Sequence, residues 1–406
     1  MKKHLLVRFL SILVLWGIVC SSVFCSGEIQ VSAEIPVNAR FSSDVPAAAA
    51  LSSGSGLYRE QVSGMADYIL RLQCKNGAIR DCAGAKTANT DSNMEYALIG
   101  LGAAYQLTGK TKYLTGLKKG IRWLAAAECM TSKSRWKGSW WYEYSLSGRH
   151  IIYRDGAGVR DVRGVDTTSA LFVYLLYLDK KLDPDSTLAA RYRKNAAAAL
   201  DFISRRNLDS DHLSRSSWQK NASGRWELYD CKYSADQGDV YLGFLAGAKL
   251  FHSAQYRRTA DRIRKSTEQY LFQAELSRYC VSIEDGQPDL RLDSFDPIQS
   301  QGFLPWVWGS DGVNEKACSW LSGKLSSDGS VRCYPGDPGY AMSIALLCMA
   351  ERAAGKALPA ASCEWLLTHL YDEQTGGMQD STVSAEEDCN VAGFCIIALT
   401  GMRPFE

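Results

Sequence analysis

The sequence predicts an all-α protein, in which a signal peptide and linker precede a closed double ring of helices, the (α/α)6 toroid. Two kinds of helical segment carry this prediction. Six stretches are nearly uncharged and rich in small residues, with no polar face, and a helix that is apolar on every side has to be buried on every side. Six others are amphipathic and carry Lys and Arg on one face. The two kinds alternate along the chain with no strand-like domain between them, so each amphipathic helix lies outside an apolar one.

The chain begins with a targeting signal. Lys2 and Lys3 precede an apolar run over 9–24, and Val31, Ser32 and Ala33 offer a small-residue cleavage site. Residues 1–33 read as a signal peptide and 34–56 as a linker rich in Ala, Ser, Val and Pro. Neither Cys20 nor Cys25 follows a lipoprotein pattern. Export to the cell surface or medium is expected, with membrane association only if the signal stays uncleaved.

Residues 57–406 form the toroid. Outer helices are predicted over 58–73, 112–127, 187–206, 255–274, 314–324 and 358–370, and inner ones over 91–107, 166–178, 239–251, 295–308, 339–350 and 390–400. The stretch 166–178 (DTTSALFVYLLYL) is the clearest: one acid and two hydroxyls lead into a run without charge. Asp166 suits the N-cap and the positive end of the helix dipole. Asp91 and Asp239 head two similar runs. Connections from inner to outer helices are short and polar, as in His252-Ser-Ala, whereas those from outer to inner are long and hold aromatic and charged residues. All long loops therefore emerge on one rim, where function is expected.

Composition narrows the field. The chain has 406 residues, 46% hydrophobic and 22% charged, with a formal net charge of +2. That balance gives no sign of a nucleic-acid partner, and a monomer is expected. No apolar stretch downstream of the signal is long enough to span a bilayer. Eleven of the thirteen cysteines follow the signal, an odd and scattered set that makes no disulfide framework. Cys74 and Cys82 flank a turn and are a candidate local bridge, while Cys348 and Cys395 lie in apolar runs as small core residues. Five His without ligand spacing predict no metal site, and no cofactor is expected.

Three long loops begin alike, with Asn76-Gly77-Ala-Ile79, Asp328-Gly329-Ser-Val331 and Thr375-Gly376-Gly-Met378. Over residues 57–403 the chain resembles the six-hairpin glycosidase superfamily, whose repeats share such a turn before an acid-headed inner helix. Similar turns occur in toroidal polysaccharide lyases and in prenyltransferase and squalene-cyclase toroids. No Asp-x-Asp-Asp occurs here and no Trp follows the glycine, which separates this chain from the cyclases.

The resemblance implies a carbohydrate substrate and a pair of carboxylates on the rim. Hydrolysis of a glycosidic bond takes an acid to protonate the leaving oxygen and a base to activate water, about 6.5–9.5 Å apart in an inverting enzyme. Asp91 and Asp166 head the first two inner helices, and unsaturated uronyl hydrolases of this fold also draw their acids from early inner helices. The expectation is Asp91 as base, favoured by the helix dipole, and Asp166 as acid in a pocket dried by Trp140 and Trp141. Asp236 and Asp239 are reserve candidates, and both Asp91 and Asp166 can equally be plain caps. Seven of the eleven Trp fall on or beside the rim. Trp140, Trp141, Tyr144, Trp218 and Trp306 are the candidate sugar-binding aromatics, and Arg163 is a candidate partner for an anionic substituent. A uronate-cleaving lyase with a Tyr or His base, such as His150, and a non-catalytic glycan binder are the alternatives.

Overall fold

The structure is a computed structural model that describes residues 57–406 apart from Ala157. The signal peptide and linker read from the sequence lie outside the described residues. Among these residues there are thirteen helices, joined on one rim by short strand pairs.

The inner ring consists of α2 (Asn93–Thr108), α4 (Asp166–Leu182), α7 (Ser234–Phe251), α9 (Asp296–Trp308), α11 (Ala341–Ala353) and α13 (Cys389–Thr400). The outer ring is α1 (Arg59–Leu72), α3 (Thr111–Ala127), the short α5 (Leu188–Arg191) running on into α6 (Arg193–Phe202), α8 (Ala254–Ser266), α10 (Val313–Ser322) and α12 (Ala360–His369). Periodicity decides which helix goes where. In α1 the buried positions include Val62, Met65, Ala66, Ile69 and Leu72, one stripe at helical spacing. In α4 every residue from Asp166 to Leu176 is buried, so no face is left for water.

Each inner helix packs on the next, and α13 packs back on α2 to close the ring. Small residues set how closely these helices approach. A Cβ placed on Gly100 of α2 would lie 2.7 Å from the Cα of Gly393 in α13, so the closing seam is a backbone contact that only glycine permits. The C-terminal tail covers the ring at the end away from the long loops. Phe405 packs on Tyr174 and Tyr177, the Tyr174 hydroxyl donates to the Pro404 carbonyl at 3.2 Å, and the Trp306 indole N–H donates to the Met402 carbonyl at 2.6 Å.

The long loops form a collar at the other end, each tied to its neighbour. Strand β1 (Thr87–Asn89) of the first loop pairs with β2 (Glu143–Ser145) of the second. Strand β3 (Asp161–Arg163) of the second pairs with β4 (Trp218–Lys220) of the third, and β4 with β5 (Trp226–Leu228). Strand β6 (Cys231–Tyr233), which leads into α7, pairs with β7 (Ser282–Glu284) of the fourth loop. Tyr340 bridges to Ser381 between the fifth and sixth loops, and the Cys389 N–H donates to the Asp81 carbonyl at 2.8 Å to join the sixth to the first.

Five of the six outer-to-inner loops open with a tight hairpin and the second with a wider one closed between Cys129 and Gly138, and the sequence pattern exposes only three of them. The left-handed residue is glycine at Gly77, Gly138, Gly329 and Gly376, but His212 and Ser277 take that position in the third and fourth repeats, at φ 65° and 51°. A Cβ at Gly376 would lie 2.6 Å from the Gly64 carbonyl of α1, so the sixth hairpin seats on the first outer helix.

Three boundary expectations are corrected. Asp166 is the first residue of α4 with Val165 at the N-cap, Asp91 precedes α2 by two residues, and α7 begins at Ser234, which puts Asp239 in its second turn. None of the three caps its helix. Cys74 and Cys82 are free thiols, so the proposed local bridge is absent, while Cys348 and Cys395 are buried as expected.

Candidate active site

A cavity continuous with open solvent lies beneath the collar at the amino ends of the inner helices. Asp91, Asp236 and Asp239 form its acidic wall, and Tyr96, Phe303, Met342, Leu346 and Phe394 its floor, with Asn93, Gln299 and Asn390 as uncharged polar groups. No Lys, Arg or His lines it. Among the described residues no group of His, Cys, Asp and Glu is arranged to hold a metal ion.

Loop chemistry places Asp91. Its N–H donates to the Asn89 side chain at 2.7 Å, the Thr90 hydroxyl donates to the Trp141 carbonyl at 2.7 Å, and the Thr168 hydroxyl of α4 donates to the Thr90 carbonyl. Ser92 then turns the chain through the left-handed region, φ 64°, into α2. The first loop is thus held by the second loop and the second inner helix. Asp236 and Asp239 lie on α7, whose start is fixed where the Ser234 hydroxyl donates to the Cys280 carbonyl at 2.6 Å and the Gln237 amide donates to the Ser214 carbonyl at 3.0 Å. The Tyr96 hydroxyl, one helix turn into α2, donates to Asp239, and its ring stacks on Phe394 at 4.0 Å.

Burial dominates the electrostatics. Asp91, Asp236 and Asp239 are only 8%, 7% and 5% exposed. Removal from water raises the Asp91 carboxyl well above the usual range; the Asp236 charge adds to this and the Thr167 hydroxyl partly offsets it. The same desolvation raises Asp236, to about 7. Asp239 is raised by burial, with the Tyr96 hydroxyl pulling the other way. Like charges this close cannot all ionise, so the cluster holds protons at neutral pH and titrates as a unit. The helix dipole does not keep Asp91 ionised, because Asp91 lies outside the helix and desolvation outweighs the partial charge.

Asp166 is brought to the same cluster but not to the cavity. Its carboxyl has no solvent exposure, accepts from the Thr167 N–H at 2.9 Å, has the Ser214 hydroxyl beside it, and is raised by burial first and by Asp236 and Asp91 after that. Glu95 is also fully buried and raised by desolvation, with Asp91 and Asp239 among its charged neighbours. These two acids stand behind the cavity wall.

Most of the aromatic candidates lie elsewhere. Trp140 is 1% exposed in the core between α3 and α4, its indole N–H donating to the Leu124 carbonyl at 2.8 Å, so it dries no pocket around Asp166. The Tyr144 hydroxyl accepts from the Trp141 N–H at 2.9 Å and donates to the Ala127 carbonyl at 3.1 Å, a structural tie within a buried loop. Trp306 faces the covered end of the ring. The Arg163 guanidinium is buried 4.1 Å over the Trp141 ring and does not face the cavity. Trp141, stacked on His150 at 3.6 Å, and Trp218, edge-on to Trp136 at 5.6 Å, are half-buried in the collar and do not line the cavity. Of the candidate binding residues only Asp236 and Asp239 line it, together with Asp91. The aromatics that form its floor, Tyr96, Phe303 and Phe394, were missed; Tyr96 and Phe394 lie in the first two turns of α2 and α13, and Phe303 midway along α9.

No family model and no curated protein sequence matches the chain. Among solved structures, the fold is shared with a wild-type glycosidase at TM-score 0.58 and 12% identity, covering 86% of this chain and 96% of that one. An α-1,6-mannanase from Salegentibacter sp. HEL1_6 matches at TM-score 0.55 and 13% identity over 85% and 98% of the two chains. D-mannose isomerase matches at TM-score 0.62 and 11% identity over 89% and 100%. The toroidal fold expected from the sequence is therefore shared with these proteins.

Proposed function

We propose that this protein is an exported glycoside hydrolase that cleaves a poly- or oligosaccharide by inversion, with Asp91 as general acid and Asp236 as general base. The observation that carries the reading is the cavity: carboxylates on one wall, aromatic rings on the floor, covered at the far end by the C-terminal tail and open toward the loop rim. Structural neighbours include a glycosidase variant in complex with glucose and an α-1,6-mannanase variant in complex with α-1,6-mannotriose. Lys2, Lys3 and the apolar run behind them support export.

The roles follow from the environments. An acid must be protonated when substrate arrives, and Asp91, raised by both burial and the Asp236 charge, meets that need. A base works best with its pKa near the working pH, which suits Asp236. In the proposed step Asp91 gives its proton to the glycosidic oxygen as the bond to the anomeric carbon breaks. Asp236 takes a proton from the water that forms the new bond. Asp91 and Asp236 belong to the first and third inner elements, with the start of α4 between them, and inversion requires their carboxyls to stand about 6.5–9.5 Å apart with a water between. Asp166, which has no access to substrate, acts through Asp236 and Asp91.

The lyase alternative needs a cation for the uronate carboxylate and a free base. The cavity has no cation, and His150 is stacked on Trp141 and paired with Asp161 at 3.1 Å. The test is to incubate the purified protein with a panel of neutral polysaccharides and follow the anomeric protons of the first products by NMR. New reducing ends of inverted configuration are expected. Unsaturated sugars absorbing in the ultraviolet, or retained configuration, contradict the mechanism.

A further inference from the structure

The outer wall of the ring has a second concentration of charge, opposite in sign to that of the cavity. Over residues 180–206 and 249–265 the chain carries thirteen Lys and Arg against four Asp, on a protein whose formal net charge is only +2. Much of this charge gathers around α6. One groove beside it is lined by Arg135, Lys137, Lys194, Arg205 and Arg206, with Asp201 as its single acid. A second groove takes Lys180, Lys181, Arg193 and Lys249 and has no acid in its lining.

Pairing inside the protein neutralises only part of this charge: Arg264 meets Glu268 and Asp311, and Lys181 bonds Glu406. Arg205 meets Asp201 at 2.7 Å on the exposed helix surface, where such a pair contributes little. Among the described residues Lys194, Arg206 and Arg193 form no ion pair, nor do the exposed Arg257, Arg258 and Arg262 of α8. Like charges left together on a wall repel one another, and a polyanion lying along them relieves that repulsion and is drawn toward it.

The groove also adjoins an aromatic patch. Arg135 lies 4.3 Å over the Trp136 ring and 5.3 Å over Trp218. Phe202, in the groove lining, packs against Trp136, which contacts Trp218 and Trp226 at 5.6 and 5.1 Å. These tryptophans are half-buried, so part of each ring reaches the surface.

We propose that this outer wall binds an anionic polysaccharide, with the cations beside α6 taking its carboxylate or sulfate groups and the adjoining tryptophans packing on its sugar faces. A lipid surface would use the cations and take protruding tryptophans into its interface, whereas these are half-buried against one another in a groove. The tryptophans meet edge-on, at 84° for Trp136 and Trp218, and so form one compact patch instead of the spaced ring faces on which successive nucleic-acid bases stack. None of these residues lines the cavity, whose acidic wall repels such a chain. The wall would hold the protein on an acidic matrix while the cavity stays free for an uncharged chain.

The test is affinity electrophoresis of the full chain in gels containing polygalacturonate, dextran sulfate or neutral dextran, alongside flotation with phosphatidylglycerol vesicles and a shift assay with a single-stranded oligonucleotide. Retardation by the two acidic polymers and not by dextran is expected, weakening as salt is raised. The K194E/R205E/R206E variant should bind at least about tenfold more weakly, the scale of three surface charge contacts. A K86E/K119E/K316E variant, which reverses three exposed cations elsewhere, should bind as wild type does. The proposal is overturned if the α6 variant binds unchanged, if the control loses as much, or if vesicles or the oligonucleotide bind more tightly than the acidic polymers. Asp236→Asn should keep this binding in full, so failure of the catalytic reading and failure of this one are told apart.

Discussion

The closing seam of the ring can be tested with one added methyl group, by Gly100→Ala. Helix propensity alone predicts a gain of about 1 kcal/mol, since glycine inside a helix is disfavoured by that amount relative to alanine. Packing predicts the reverse. The new Cβ would stand 2.7 Å from the Gly393 Cα and 3.1 Å from its carbonyl oxygen, and both are backbone atoms that cannot rotate aside. Relief takes a parting of α2 and α13 by about 1 Å, and overpacking of that kind costs about 1–3 kcal/mol. The net expectation is a loss of up to about 2 kcal/mol, read as a lower urea midpoint by circular dichroism. The change should reach the cavity as well, because Tyr96 lies one turn before Gly100 and its hydroxyl donates to Asp239. A Gly100→Ala protein more stable than wild type would refute the seam as drawn.

Other perturbations address the carboxylate cluster. Burial holds the Asp236 and Asp81 pKa at about 7 when folded, above the unfolded value of about 4, so their stability contribution is complete below about pH 4 and is lost as pH rises through about 7. The urea midpoint should therefore fall between about pH 5 and pH 8, and Asp236→Asn should flatten that fall; a midpoint rising over this range contradicts the assignment. Asp166→Asn keeps the oxygen that accepts from the Thr167 N–H and should lower turnover less than Asn at either Asp91 or Asp236; an equal or larger loss would place Asp166 in the chemistry. Tyr96→Phe removes the hydroxyl on Asp239 and should cost about tenfold in kcat/KM, with about 1 kcal/mol or less in stability; unchanged kinetics would show that Asp239 needs no such partner.

Much of the fold was legible in the sequence because burial pattern is written residue by residue. The bald run from Asp166 to Leu176 had to be inside, and the Arg-rich face of α8 had to be outside. Turn chemistry was legible only where glycine marked it. His212 and Ser277 hold the same left-handed position as Gly77, but nothing in their identity announces it. The site was read less well, for a physical reason. An acid near a helix start looks the same in sequence whether it caps, faces a cavity or lies behind one. Asp91 and Asp236 face the cavity, whereas Asp166 is turned into the wall between them, and only packing against the second and third loops decides which. The tryptophans misled similarly, since Trp140 and Trp306 have the composition of a sugar platform and the burial of core residues.

The central claim is that Asp91 and Asp236 together break the glycosidic bond, and the most direct measurement is the rate of reducing-end release by Asp91→Asn and Asp236→Asn beside the wild-type enzyme. Neither aspartate caps a helix and both carboxyls gain from losing charge in a buried site, so both variants should fold, with wild-type circular dichroism. Each should release product at least about 10²-fold more slowly on the polysaccharide that the wild type cleaves, the usual scale for losing a general acid or base. A folded variant of either kind that releases reducing ends at the wild-type rate would contradict the account.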